Sequence, residues 1–549
     1  MSLPDFTTQT AFFSITVGPD QLFGPTNRFR IFVEKIYPRL VEARSVLVEA
    51  YCAGNGSPAI EPVLLLGVSI LQYTEGVSDR EAVELLGCHA GWAFALNRTL
   101  GQKTFHPTVL VNFRQRLIEH QHSALAFSAI LDGLVAEGLV DPRSQQRLDS
   151  TQMMGLLSKM SRLECMRETL RLALEELEET SAQFAPPAFW DELSEGYLQS
   201  KVDYRTPISV LKLKMDQAGG DAVRLLEWVG QLSDRTISQG KQVQLLERVW
   251  NENFQLQADQ TLQQREAQPP GAVHNPHEPE AQWAAKGTGK RKKEHTGYKI
   301  QVAETVKEVQ LQPGEPTQNF ITAVVTQDAI GSDEAGQDLV EQEQAAMGLE
   351  KPPVLYVDGA YVSAEKLAEA QAEGRELIGP AQPAPKKEGK FSVEDFQINV
   401  EERKAICPAG KENTQCSRLV EETTGKVSYR IEFSTHCHEC PLRGQCVGEN
   451  QKHRTILVGE HHSHLQARRQ EQKTPAFQQK AKNRNALEGT QSEMVRGHGM
   501  RRARYRGKRK VRLQNYLIGA ACNAKRWIKR VIWELKQAQK GAKLSSATG

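Results

Sequence analysis

No stretch of this 549-residue chain approaches the about 18 consecutive apolar residues of a membrane-spanning helix. The amino terminus, MSLPDFTTQTAFF, lacks the charged segment followed by an apolar one that marks a secretory signal, so a soluble, cytoplasmic protein is expected. Cysteine is sparse and odd in number. Of nine, Cys52, Cys88, Cys165 and Cys522 are scattered, while Cys407, Cys416, Cys437, Cys440 and Cys446 crowd together. In a large cytosolic chain that distribution argues against a disulfide framework and for metal. Net charge is also nearly absent, at +2. What is present is enough apolar residue, 39%, to sustain a core, and more length than one core normally fills.

The charge is sorted by position. After Glu493 the chain carries sixteen Lys and Arg, from Arg496 to Lys543, against the single acid Glu534, a formal +15 that leaves −13 for everything before it. A basic block with Tyr505 embedded is the pattern of a phosphate-backbone surface; a solvated helix end is the alternative. Just ahead of it, in AKNRNALEGTQSEMVRGHGMRRARYRGKRKVR (481–512), Glu488 lies four residues after Arg484. On a helix the two share a face, and Gly489 beside the carboxylate admits a close neighbour. Glu493 is a rival on the same helix, but five residues turn it by about 140°, so both cannot face one ligand.

Residues 20–140 read as helices. EPVLLLGVSILQY (61–73) is mostly apolar, and Ser78 with Glu81 makes a capping-box signature. A further helix begins near Pro107, with Val109, Phe113 and Leu117 on one face and Arg114 and Arg116 off it. Short helices with a basic last one suit a DNA-reading module, or equally a bundle that its arginines keep soluble. QQRLDSTQM (145–153) reads as a strand carrying Asp149, although an aspartate before Ser and Thr suits a cap or turn as well. From Met160 to about Gln264 leucines recur at helical spacing, the mark of an inserted helical subdomain.

The Pro- and Gly-rich stretch 266–295 is a linker or ordered loop, and its Lys286, Lys290, Arg291, Lys292 and Lys293 are phosphate contacts or solvated charges. GYKIQVAET (297–305) and NFITAVVTQ (319–327) read as an antiparallel strand pair. A helix over 331–348, a buried strand over 354–357 ending at Asp358, a helix capped by Ser363 and the short strand ELIGP (376–380) complete an α/β pattern. In such sheets ligands sit at the carboxyl ends of buried strands, which favours Asp358 for chemistry. CPAGKENTQC (407–416) and CHECPLRGQC (437–446) then interrupt. Cys437 and Cys440 form C-x-x-C, and Cys407 and Cys446 complete a tetrahedral thiolate set for structural zinc. Cys416 is the rival ligand, His436, His438 and His453 are substitutes, and reduced thiols binding nothing are the alternative.

Asp149, Asp358 and Glu488 would come from an early strand, the end of a central strand and a later helix joined to a basic tail. Two divalent ions about 4 Å apart need several converging carboxylate oxygens, and they can hold the attacking and leaving oxygens of a phosphodiester. Water then serves for strand cleavage, and a DNA 3′-hydroxyl for strand joining. Taken together, LLLGVSILQYTEGVSDREAVELL, FHPTVLVNFRQRL, RLDSTQM, GYKIQV, LYVDGAYVS, CHECPLRGQC and RNALEGTQSEMVRGHGMRRARYRG span from about residue 20 to residue 530. In them the chain resembles the DDE-type transposases of bacterial insertion sequences, in the branch with an amino-terminal helical domain, a helical insertion after the first aspartate and a Cys-rich stretch before the glutamate.

That resemblance implies an α/β fold with an RNase H-like catalytic core. The expected division is a helical DNA-binding domain over 1–140, the first core strand over 141–156, a helical insertion over 157–270, further core over 271–400, a Cys-rich insertion over 401–450, and the catalytic helix with its basic tail over 451–549. The resemblance makes Asp149, Asp358 and Glu488 the ligands of magnesium or manganese. It makes Arg484 similar to the arginine of the family's Y-x-x-R-x-x-x-E-x-x-x-x-x-x-K signature. Ala481 stands at the tyrosine position and Val495 at the lysine position, which shifts the expected DNA-end contacts to Arg496 and the RRARYRG run. The expected DNA-binding set is Lys299, Arg484, Arg496, Arg501, Arg502, Arg504, Tyr505, Arg506 and Lys510, with Arg114 and Arg116 from the amino-terminal helices. The implied function is metal-dependent cleavage and strand transfer at the ends of an insertion sequence. Double-stranded DNA, both terminal repeat and target, is the partner, the chain acts as a homodimer on it, and the location is the bacterial nucleoid. A nuclease of the same core without joining activity and an inactive DNA-binding protein are the alternatives.

Overall fold

The computed structural model describes residues 19–51, 59–199, 207–257, 261–286 and 293–547. Cys52 and the loop cations Lys290, Arg291 and Lys292 lie outside the described residues. Among the amino-terminal helices, α1 (Pro62–Glu75) is buried continuously from Pro62 to Tyr73, as its all-round apolar sequence dictates. Pro62 starts it, and Gly76, at φ 74°, ends it in the left-handed region. α2 (Asp79–Cys88) opens with a reciprocal cap: the Ser78 hydroxyl accepts the Glu81 N–H and the Glu81 carboxylate accepts the Ser78 N–H. α3 (Thr108–Glu119) and α4 (Leu125–Ala136) follow.

β1 (Gln146–Met154) is the centre of the main sheet. A helical segment comes next, with α5 (Arg162–Thr180), α6 (Ile208–Gln231) and α7 (Lys241–Asn253), which enclose their own core around Met166, Leu170, Ala218 and Leu246. The chain returns to the sheet with β2 (Gln282–Lys286), β3 (Lys293–Thr305) and β4 (Ile321–Asp328), then α8 (Asp333–Ala346), β5 (Val354–Tyr356), α9 (Ala364–Ala372) and β6 (Glu376–Ile378). β3 runs antiparallel to β1 on one edge, and its other edge carries β2 along its first part and β4 along the rest. On the far side of β1 lie β5 and then β6, both parallel. β1 has little apolar character, and its buried polar side chains find partners: the Gln146 side-chain oxygen accepts from Thr322 and Gln344, and Arg147 donates to Glu304.

β7 (Gln415–Val420), β8 (Val427–Glu432) and β9 (Thr455–Gly459) form a separate antiparallel sheet in the Cys-rich stretch, over a small core of Phe396, Ile431, Phe433 and Ile456. This module runs on to Gly459, past the expected boundary at 450, because β9 pairs with β8. The chain ends in α10 (Leu487–Gly497) and α11 (Lys508–Ala547).

Two cores cover the two faces of the main sheet. One joins Val302 and Val324 to the amino-terminal helices and α11; the other packs Leu148, Val325 and Leu355 against α8 and α9. α11 corrects the expectation of a basic tail lying on the surface. From Val511 to Trp527 most of its side chains are buried against α1, α4 and β4. Asn523 even joins the end of β4, accepting the Ile321 N–H at 2.9 Å and donating to its carbonyl at 2.8 Å. No helix among the described residues is long and apolar enough to cross a membrane.

Candidate active site

β1 and β5 run parallel with Gln146 opposite Leu355 and Arg147 opposite Tyr356. Asp149 and Asp358 each follow the last pair of that ladder by two residues, so both lie past the same end of it. Asp149 is 14% exposed; its Oδ1 accepts the Ser150 N–H at 2.8 Å and its Oδ2 accepts from Arg484 Nη1 at 2.9 Å. Asp358 accepts the Ala360 N–H at 2.8 Å, which turns the chain sharply after β5. Tyr361, fully buried three residues on, feels both carboxylates. Its hydroxyl is pushed well up by burial and then by the negative charges of Asp333, Asp149 and Asp358, and it donates to Gln301.

Glu488 stands in the first turn of α10 with its side chain 71% exposed. Arg484 ends the short 3-10 turn just before α10, and its Nη2 lies 4.0 Å from the Glu488 carboxylate. One guanidinium therefore connects the first carboxylate to the third. A Cβ added at Gly489 would meet nothing within 4 Å, so the side of α10 next to Glu488 is open. Glu493 points elsewhere: burial works to raise its pKa, but Arg526, donating from Nε at 2.9 Å, holds it below the ordinary value. The rotation around the helix thus separates the two glutamates as the spacing requires.

Several members of the expected DNA-binding set are turned inward. Arg114 is buried, paired with Asp79, and lies over the Tyr505 ring, so it is not the solvent-facing side chain that the helical pattern suggested. Arg504 lies over the Tyr73 ring and donates to the Val77 carbonyl, and the Tyr505 hydroxyl meets that of Tyr73. Lys299 is spent on the Gly331 carbonyl at 2.6 Å and on Asp333. These groups hold the amino-terminal helices and the sheet to the carboxy-terminal segment. Arg116 is half-buried against Tyr51. Arg496, Arg501, Arg506 and Lys510 are exposed and have no ion pair among the described residues. Arg502, also exposed, donates to the Gly155 carbonyl. The main chain of 501–503 extends the end of β1, through Met154 N–H to the Arg501 carbonyl and Ala503 N–H to the Met154 carbonyl, which ties the basic run to the strand that carries Asp149.

Cys407, Cys437, Cys440 and Cys446 line one cavity together with His436. Burial pushes the Cys446 thiol up, Arg454 opposes it, and the three neighbouring thiols add smaller upward contributions. The Arg454 N–H donates to Cys437 Sγ at 3.4 Å. Cys416, the rival ligand, sits on β7 outside that cavity, and His453 faces Glu432. Closer packed are Glu493, His498 and Cys522, whose ligand atoms lie within 4.8 Å of one another; neither the three carboxylates nor the four thiols are drawn that close. In that trio Glu493 is already bound by Arg526, and burial pushes the Cys522 thiol up to about 12.

A family model described as transposase DDE domain matches residues 406–528, and one described as transposase domain (DUF772) matches residues 20–116. The first takes in the Cys-rich module, Glu488 and much of α11; the second takes in α1, α2 and most of α3. Neither reaches Asp149 or Asp358. No curated protein matches the chain. Both models describe transposase domains, one in each half of the chain, and together the matches indicate a DDE-type insertion-sequence transposase.

Proposed function

We propose that this transposase cleaves the ends of its element and joins them to target DNA at a site made of Asp149, Asp358 and Glu488. The observation that carries the reading is the parallel pairing of β1 with β5, past one end of which Asp149 and Asp358 both lie, with Arg484 between Asp149 and Glu488. A six-stranded sheet in which β1, β2, β3 and β4 pair antiparallel and β5 and β6 continue parallel to β1, with helices on both faces, supports an RNase H-like core. The donor set fits a hard divalent cation: all-oxygen and anionic, at a strand end open to solvent on the Glu488 side. Magnesium or manganese, when bound, supplies a Lewis acid for the phosphodiester oxygens. The chain's own part is to hold Asp149 on β1 and Asp358 in the turn just after β5, and to bring up Glu488 on α10. Arg484 occupies Asp149 in the meantime and is free to move onto a phosphate. Arg496, Arg501, Arg502, Arg506 and Lys510 lie along the backbone of the element end, with Arg116 nearer the amino-terminal helices. Two copies act on paired ends.

The deciding experiment uses a labelled duplex copied from the DNA that flanks the chain's own gene, with magnesium or manganese. Nicking at the element boundary by the wild type, abolished in Glu488→Gln, is expected. Binding without nicking in either protein would favour an inactive DNA-binding protein, nicking without joining a nuclease, and equal nicking in both would remove Glu488 from the site.

We also propose that Cys407, Cys437, Cys440 and Cys446 hold a structural zinc ion that closes the β7–β9 module. Four thiols on one cavity, one of them receiving a backbone N–H, suit a soft closed site. Elemental analysis of the purified protein should give one zinc per chain, lost in Cys437→Ser; no zinc in the wild type would dispose of the idea.

A further inference from the structure

Beneath the candidate site lies a set of charges that the chemistry does not use. Glu304, on β3, is completely buried, and both its oxygens are occupied. Oε1 accepts from Arg147 Nε at 2.6 Å; Oε2 accepts from Arg526 Nη1 at 2.9 Å and from the Thr490 hydroxyl at 2.6 Å. Arg526, on α11, also donates to Thr490 Oγ1 at 2.7 Å, to Glu493 at 2.9 Å and to the Asn319 carbonyl at 2.9 Å. Arg147 reaches the Asn483 carbonyl at 2.9 Å.

The partners sit next to the candidate site residues. Arg147 precedes Asp149 by two on β1, and Asn483 precedes Arg484 by one. Thr490 follows Glu488 by two, on the opposite, buried side of α10. We infer that Glu304, Arg526 and Thr490 are positioning residues for the third carboxylate: they clamp α10 to β1 and β3 and so fix where Glu488 stands relative to Asp149. This deepens, and rests on, the reading that Asp149, Asp358 and Glu488 bind the metal.

Stability alone gives a poor account of the cluster. A buried, balanced ion network is often no more stable than apolar side chains of the same volume, whereas its fixed donor and acceptor directions admit one docking of α10. Groups behind metal ligands typically change metal affinity by about 10- to 100-fold when they are removed.

Thr490→Val tests this with little change of volume: it removes the hydroxyl that donates to Glu304 and accepts from Arg526. Manganese alone is the probe, titrated into the full chain by calorimetry and by the electron paramagnetic resonance signal of the free ion. Half-maximal magnesium for nicking of the gene-flanking duplex is read alongside. The expected result is about tenfold weaker manganese binding and a matching rise in the magnesium requirement in Thr490→Val, with both restored in Thr490→Ser and duplex binding unchanged. Manganese affinity equal to wild type in Thr490→Val overturns the inference, as does a lower nicking rate with an unshifted magnesium requirement. If Thr490→Val does not fold, Thr490→Ala carries the same comparison. Glu488→Gln separates the two levels of the argument: if it binds manganese as the wild type does, the metal reading itself fails, whatever Thr490 does.

Discussion

Arg114 is 6% exposed, with its guanidinium on Asp79 and over the ring of Tyr505. Removing Arg114 takes the charged hydrogen bonds from Asp79, which is a quarter exposed and keeps only Gln72, at a cost of about 1.5–3 kcal/mol. Arg114→Ala should therefore lower the free energy of unfolding measured in urea by that much. If instead stability is unchanged and DNA affinity falls, Arg114 is a DNA contact after all. Glu343 offers a pH test. Burial on α8 raises its carboxyl to about 7, against the ordinary 4.5, with Tyr516 and Arg512 only partly opposing. A raised acid favours the folded state at low pH: the contribution is complete below about 4.5, and it is lost as pH climbs through about 7. At about 1.4 kcal/mol per unit the charged form costs about 3 kcal/mol. Glu343→Gln should accordingly melt higher than the wild type at pH 8.5 and show no such gain at pH 4, as thermal unfolding at the two values would establish. Neither partner of Glu343 could be read from the chain, because Tyr516 lies 173 residues away.

At the scale of elements, α11 is the surprise. Its lysines and arginines gave it the look of a solvated DNA clamp, but Leu513, Leu517, Ile518, Ala521 and Trp527 recur at helical spacing between them and are buried. The charges nearest the core found internal partners: Arg512 faces Glu343, Arg526 faces Glu304 and Arg530 faces Glu315. Gly519 marks the closest approach, since a Cβ there would lie 2.9 Å from Val324 and 3.0 Å from Phe127. Glycine inside a helix normally gives way to alanine with a gain of about 0.5–1 kcal/mol. Gly519→Ala should do the reverse and cost about 1–3 kcal/mol by overpacking, while Gly541→Ala, where a Cβ meets nothing within 4 Å, should not destabilise. Equal effects in chemical denaturation would mean that the crossing is looser than drawn. The capping box of α2, by contrast, was visible as Ser78 and Glu81 because both ends of that interaction lie within four residues.

For the whole molecule the sixteen basic residues of the carboxy-terminal region divide into groups with different work. Arg526 and Arg530 are internal, and Arg504 joins the amino-terminal helices to the rest. Arg496, Arg501, Arg506 and Lys510 remain exposed. Each exposed residue that meets a phosphate should contribute about 0.9 to the slope of log affinity against log salt. Replacing Arg501 or Arg506 by alanine should flatten that slope by about one in a duplex-binding titration. Arg530→Ala should leave the slope alone and lower the melting temperature instead. A slope lost equally from all three would argue that the ion pairs of Arg530 with Glu315 and Glu534 open when DNA binds.

The sequence by itself determined what depends on neighbours: the strands and helices around Asp149 and Asp358, the cap of α2, the four-residue spacing of Arg484 and Glu488, and the concentration of thiols at 407–446. Tertiary structure decided what depends on distant partners. It paired β1 in parallel with β5, so that Asp149 and Asp358 lie past the same end of one ladder, turned Arg114, Lys299 and Arg504 inward, and gave Glu493 to Arg526. It also built the Glu304 cluster from four segments of the chain. A charge written in a sequence carries no record of whether water or another side chain will solvate it; only the packing of residues hundreds of positions apart makes that choice.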